Sequence, residues 1–118
     1  MLPFEVTESG VLIIRLRADL DIAGRAAAAW EIDGSLAAHR SAPLVLELSD
    51  GPVSDAAVST VIRAHRMCRY ADVPLGVVAA DPETRRSLAA AAVRGALDVY
   101  DGRSQALAAL SAPVAVAA

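Results

Sequence analysis

A chain of 118 residues that is 55% hydrophobic and 21% charged has the size and composition of one globular domain with its own core. Its 14 acidic residues outnumber 11 basic ones, all arginine, for a net charge of −3, which leaves no clustered basic face for nucleic acid. The single cysteine, Cys68, excludes an internal disulfide, and Met1 to Glu5 lacks the basic-then-apolar order of a signal peptide, so a cytoplasmic protein is expected.

Phe4 to Thr7 and Val11 to Arg17 flank Glu8-Ser9-Gly10, which predicts an opening β-hairpin. Val11, Ile13 and Ile14 are expected on the apolar face of its second strand, with Arg15 and Arg17 opposite. Ala18-Asp19-Leu20-Asp21 then turns the chain into an Ala-rich helix from Ile22 to His39, whose inward stripe is expected to hold Ala26, Ala29, Trp30 and Leu36 or Ala37. Ser41-Ala42-Pro43 breaks that helix. Leu44 to Leu48 follows as a strand buried on both faces, and Ser49-Asp50-Gly51-Pro52 as a turn.

Beyond the turn the hydrophobic period changes. Val58, Val61, Ile62 and His65 are spaced as one stripe of a helix from Asp55 to Tyr70, with Ser54 or Asp55 capping its first turn. Ala71-Asp72-Val73-Pro74 punctuates the chain, and Leu75 to Ala79 reads as another buried strand. Asp81-Pro82-Glu83 opens a third helix that runs to Val93 and stops at Arg94-Gly95. Ala96 to Tyr100 fits a short edge strand, and Ser104 to Leu110 a last helix. Residues 1–110 form the domain on this reading, with 111–118 a flexible tail; the apolar stretch from Ala106 on is short of the roughly 20 residues that cross a bilayer.

The order β-β-α-β-α-β-α-(β)-α predicts a mixed α/β sheet of four to five strands with four helices, parallel where single helices join the strands and antiparallel at the hairpin. Helices that start at the carboxyl ends of such strands place their tips on the usual binding edge. Helix capping accounts for Ser54 and Asp55, and a polar turn with a cap for Asp19 and Asp21. His65 has no second His or Cys at ligand spacing, so no metal site is expected. Cys68 belongs to no nucleophile, base and acid set, and no phosphate loop, carboxylate pair or nucleophile elbow occurs, so neither enzyme activity nor a cofactor is expected. Trp30 is expected in or beside the core, and Arg63, Arg66, Arg69, Arg85 and Arg86 on solvated faces.

Taken together, several segments resemble a known family. Ala18-Asp19-Leu20-Asp21 is similar to the Gly-Glu-Leu-Asp turn of STAS domains, and Leu44 to Ser49 to their central Leu-Asp-Leu-Ser strand. Val73 to Val78, Arg85 to Leu88, Ala96 to Tyr100 and Ala106-Leu107 follow the family's closing third in order. The family includes bacterial anti-sigma factor antagonists and the cytoplasmic tails of sulfate transporters. The resemblance implies a protein-interaction module that binds an anti-sigma factor of the histidine-kinase-like ATPase type through Asp19, Asp21 and the helix start Ser54, Asp55, Ala56, Ala57 and Val58. A small-ligand-binding or transporter-accessory subunit is the alternative, and a homodimer is compatible with either.

The family's phosphorylated serine, in Asp-Ser-Ser-Gly-Leu, has no counterpart here. Matching Val58 to the motif's leucine puts Ala56 at the acceptor, and matching Asp55 to its aspartate puts Ala57 there. The switch by phosphate, which adds about −1.5 to −2 charge where a partner docks, is therefore expected to be lost. Asp55 supplies one permanent negative charge beside it, and Ser54 and Ser59 are secondary candidates as acceptors.

Overall fold

A computed structural model describes residues 2–40, 42–92 and 97–111. Strands β1 (Phe4–Val6) and β2 (Leu12–Leu16) precede helix α1 (Ile22–Ala38), strand β3 (Leu44–Leu48) and helix α2 (Asp55–Ala71). Strand β4 (Leu75–Val78), helix α3 (Pro82–Ala91), strand β5 (Val99–Tyr100) and helix α4 (Arg103–Ser111) complete the order. The five strands form one sheet in sequence order, β1 antiparallel to β2 and every later pair parallel. The mixed sheet with four helices is the architecture predicted. The Arg94-Gly95 stop, the Ala96 start of the last strand and the tail beyond Ser111 lie outside the described residues.

The hairpin turn is made by Gly10 at φ +85°, where a Cβ is disfavoured, with Gly10 N–H donating to Thr7 O (2.9 Å) and Thr7 Oγ1 accepting from Val11 N–H (3.0 Å). Because each crossover steps to the next strand in one direction, right-handed connections place all three crossover helices on the same face. The larger core shows this: Leu12, Ile14, Leu16, Leu44, Leu46 and Val77 of the sheet meet Ala28 and Ile32 of α1, Val61, Ala64 and Cys68 of α2, and Leu88 of α3. The opposite face turns Val11, Ile13, Val45 and Val78 toward Ala106 of α4, with Leu107 and Leu110 beside it.

Three packing expectations are corrected. β2 is buried on both faces, so Ile13 and Ile14 serve different cores, as period-two alternation requires. In α1 the inward residues are Gly24, Ala28, Ile32 and Leu36 at a spacing of four; Ala26 and Ala37 are exposed, and Trp30 stands 80% exposed. In α2 the buried stripe is Ala57, Thr60, Val61, Ala64 and Cys68, while Val58, Ile62 and His65 flank it half-buried. Small residues let this helix lie close against the sheet, and the bulkier apolar side chains fill its flanks.

Local signals end the elements as the residues dictate. Asp72 closes α2 in the left-handed conformation (φ 60°), its N–H donating to Arg69 O (3.3 Å) and that of Val73 to Cys68 O (2.8 Å), the paired pattern of a Schellman cap before Pro74. Asp81 caps α3 by accepting from Glu83 N–H (3.0 Å), with Pro82 at the first helical position. Gly76 is required by close approach, since a Cβ there would meet the Tyr100 ring at 3.1 Å and Leu110 at 3.4 Å.

Candidate functional site

The carboxyl ends of β2 and β3 are neighbours in the sheet, so the loops after Leu16 and Leu48 leave it side by side. Four hydrogen bonds clasp them. Ser49 N–H donates to Leu16 O (3.0 Å), and Ser49 Oγ accepts from Ala18 N–H (2.9 Å). Ser54 N–H donates to Ala18 O (2.7 Å), while its hydroxyl donates to Leu20 O (2.5 Å). The same Ser54 Oγ accepts from Ala57 N–H (3.1 Å) as the N-cap of α2. One serine thus both starts α2 and fixes the turn before α1.

That turn ends at Asp21, whose Oδ1 accepts from Gly24 N–H (2.6 Å) and caps α1. Gly24 leaves room for this arrangement: a Cβ there would meet Leu20 Cδ1 at 2.9 Å and Asp21 Oδ1 at 3.0 Å. Asp19 is held at the rim by Arg17, whose Nε and Nη2 donate to its two carboxylate oxygens at 2.9 and 3.0 Å. The hydrogen bond from Arg17 lowers the Asp19 pKa below its ordinary value, so this exposed carboxyl is ionised at neutral pH.

These loops enclose an open depression of about 610 Å³. Asp19, Asp21, Ser54, Asp55 and Ala56 line it, so five of the seven residues predicted from sequence come together. The other two do not join them. Ala57 is fully buried and Val58 packs half-buried against the larger core, and neither lines the depression. Ala56 reaches the depression only as a nearly buried floor. Of the stripe on which the match of Val58 to the family's leucine rested, Val61 is fully buried and Val58 packs half-buried against the same core; with either match the acceptor position, Ala56 or Ala57, lacks a hydroxyl.

Two residues escaped the sequence reading. Ile22, first residue of α1, stands 76% exposed on the lining of the depression, where Asp19, Asp21 and Asp55 surround it with acidic groups. Ser49 holds the two loops together from below. The helix spacing that places apolar side chains inward gives no warning of an apolar residue left outside. A loop-to-loop hydrogen bond has no local sequence signature.

Of the secondary acceptor candidates, Ser54 has its hydroxyl engaged twice, and a phosphate there would remove the proton it donates to Leu20 O. Ser59 lies one turn further along α2, donating to Ala56 O (3.0 Å), with Arg25 Nη1 3.5 Å from its Oγ. Burial pushes the Cys68 thiol up to about 11, which removes the thiolate at neutral pH. Among the described residues no three His, Cys, Asp or Glu side chains are grouped to hold a metal, and no helix is long and apolar enough to cross a membrane.

Comparison with known proteins places this architecture. The family model described as the STAS domain matches residues 5–106. The fold is similar to that of a serine-to-glutamate variant of RsbS from Moorella thermoacetica, with TM-score 0.77 and 14% identity over 92% of this chain and 93% of that one. It is also similar to the solution structure of the protein TM1081, with TM-score 0.71 and 18% identity over 91% and 86% of the two chains. No curated protein matches the sequence. With the family model spanning the sheet, the clasped loops and the start of α4, the chain belongs to the STAS domain family.

Proposed function

We propose that this chain is a non-enzymatic interaction module of the anti-sigma factor antagonist type, acting in the cytoplasm on an anti-sigma factor of the histidine-kinase-like ATPase class. The docking surface is the depression formed by the Asp19 to Asp21 turn and the tip of α2. The observation that carries this reading is the exposed Ile22 ringed by Asp19, Asp21 and Asp55 on a rigid base. An apolar anchor within a charged rim is the anatomy of a protein interface, with the anchor supplying affinity and the rim orientation.

Alanine at both possible acceptor positions keeps the surface from being toggled by phosphate. Asp55, exposed in the first turn of α2, gives a fixed negative charge where the helix N-terminus favours one. Partner binding on this reading is constitutive and responds to the abundance of the two proteins. Incubation with the kinase-type partner and labelled ATP is expected to leave this chain unlabelled while the pair still co-elutes. Stoichiometric label on the chain would contradict the lost switch, and failure to co-elute with any such partner would contradict the assignment.

A further inference from the structure

We infer that the outer edge of β1 is the contact between two copies of this chain, which pair there as antiparallel strands and join their sheets about a two-fold axis. β1 ends the strand order and has a neighbour on one side only. Arg15 N–H donates to Pro3 O and Thr7 N–H to Val11 O, both at 2.9 Å, so alternate residues of this segment face β2. The N–H and C=O groups of Phe4 and Val6 therefore point away from the sheet, toward the open edge.

Edge strands are commonly kept from pairing with other chains by shortness, by proline or by charge. β1 is short, but the other two devices do not act here. Pro3 lies on the side that faces β2, so its missing N–H leaves the outer row intact. Glu5, at the middle of the strand, faces α4 with its carboxylate held by Arg103 Nη1 at 2.9 Å and Arg15 Nη2 at 3.5 Å. The same two arginines hold Glu47, so two acids are balanced by two cations and the edge carries no net charge to repel its own copy.

On the opposite face the same edge is apolar. Phe4 and Val6, opposite Ile14 and Leu12 in the ladder, lie on the face of the larger core and are half-exposed. Trp30 of α1 shares a groove of about 390 Å³ with Phe4, where a Cβ on Gly34 would meet nothing within 4 Å. Of the five large apolar side chains left exposed among the described residues, three are thus gathered beside this edge. A single exposed apolar residue needs no explanation, whereas a set of them along one edge marks an interaction surface.

A second copy fits that surface better than an unrelated chain. Pairing centred on Glu5 sets Phe4 of each copy opposite Val6 of the other, so that outward donors meet acceptors in both directions and a large side chain faces a small one. Trp30 and Phe4 together leave about 300 Å² exposed on each copy. Two copies therefore offer about 600 Å² of the roughly 1,000 Å² a specific interface needs, before Val6 and the backbone row are added. An interface at this small end is reversible, and its dimer depends on concentration. The docking surface lies at the carboxyl ends of β2 and β3, so each copy keeps its own open and binds there with the affinity of the monomer.

Sedimentation equilibrium of the full chain across the micromolar range provides the test, with Trp30, the one tryptophan, as a fluorescent reporter of the contact. A monomer–dimer equilibrium is expected, with Trp30 emission moving to shorter wavelength as the dimer forms. Val6→Pro removes an outward N–H and no bond to β2, and Val6→Arg sets a charge in the apolar row. Each is expected to weaken the dimer by about tenfold or more, whereas Tyr70→Ala, at an exposed aromatic elsewhere, leaves it unchanged. The thermal midpoint, taken at a dilution where the parent is monomeric, separates lost association from lost folding. If Val6→Pro lowers that midpoint, Val6→Arg decides, since its side chain starts from a half-exposed position. A chain monomeric throughout the range, an unchanged dimer in the folded variant, or a strand of another protein bound at this edge in place of a second copy would overturn the inference. Ile22→Asp is expected to leave the dimer intact, so the β1 contact and the docking surface can fail separately.

Discussion

Ser54 is the residue on which the candidate surface depends most, because one hydroxyl serves two elements. It accepts from Ala57 N–H at the start of α2 and donates to Leu20 O in the turn before α1. Ser54→Ala removes both bonds and leaves the part-buried Leu20 carbonyl without that donor, so a loss of about 1–2 kcal/mol is expected. For a domain of this size that lowers Tm by roughly 5 °C or more, measurable by thermal denaturation. A variant as stable as the parent would contradict the double role. Capping residues such as Ser54, Asp21 and Asp81 were legible in the sequence because capping is local chemistry, written within three positions. Ile22 and Trp30 were not, because whether a bulky side chain faces the sheet depends on the rotation of its helix, and Ala-rich α1 carries too few large apolar residues to define one.

At the scale of elements, the strands were the most legible, since four of them are short apolar runs or alternations bounded by turn-forming residues. Helix faces were less so. In α2, Ala57, Ala64 and Cys68 do the packing, and a hydropathy pattern weighted toward large side chains rotates the stripe toward Val58 and Ile62. The α4 face adds an electrostatic tether that pattern reading cannot see, because its members are far apart in sequence. Arg103 donates from Nε and Nη2 to the Glu47 carboxylate at 2.9 and 2.7 Å and from Nη1 to Glu5 at 2.9 Å, while Arg15 approaches the same two acids at 3.5 Å.

The hydrogen bond from Arg103 holds the Glu47 pKa below its ordinary value of 4.5, against the opposing effect of burial. A carboxyl lowered in the folded state contributes stability above its unfolded pKa and loses it as pH falls through the folded value. His65 acts with the same sign, since its folded pKa lies below the ordinary 6.5: the neutral ring favours folding above that pH and protonation opposes it below. The urea midpoint is therefore expected to fall in two stages on acidification, first below about pH 6.5 and then below about pH 4.5. His65→Gln should flatten the first stage and Glu47→Gln the second. A second stage undiminished in Glu47→Gln would show that the tether contributes nothing.

For the molecule as a whole, the decisive feature is that α1, α2 and α3 crowd one face of the sheet, while among the described elements α4 alone packs on the other. A chain ending after Gly102 would uncover Val11, Ile13, Val45 and Val78, four side chains that are at most 5% exposed in the full domain. Burying such side chains contributes about 1.5–3 kcal/mol each, comparable together to the whole stability of a small domain. Truncation there is expected to abolish the cooperative unfolding transition and to raise binding of an apolar dye. A shortened chain that still melts cooperatively would contradict the two-core description.

The same architecture keeps the clasped loops rigid at one end of the sheet, with Ile22 raised among three acids, while Trp30, although equally apolar and exposed, lies away from that depression. The most direct measurement compares the affinity of the captured kinase-type partner for Ile22→Asp and Trp30→Ala, both at exposed positions where folding stability changes little. Binding is expected to fall by about tenfold or more for Ile22→Asp and to stay near the parent value for Trp30→Ala. Full affinity in Ile22→Asp, or its loss in Trp30→Ala instead, would place the docking surface elsewhere on the molecule.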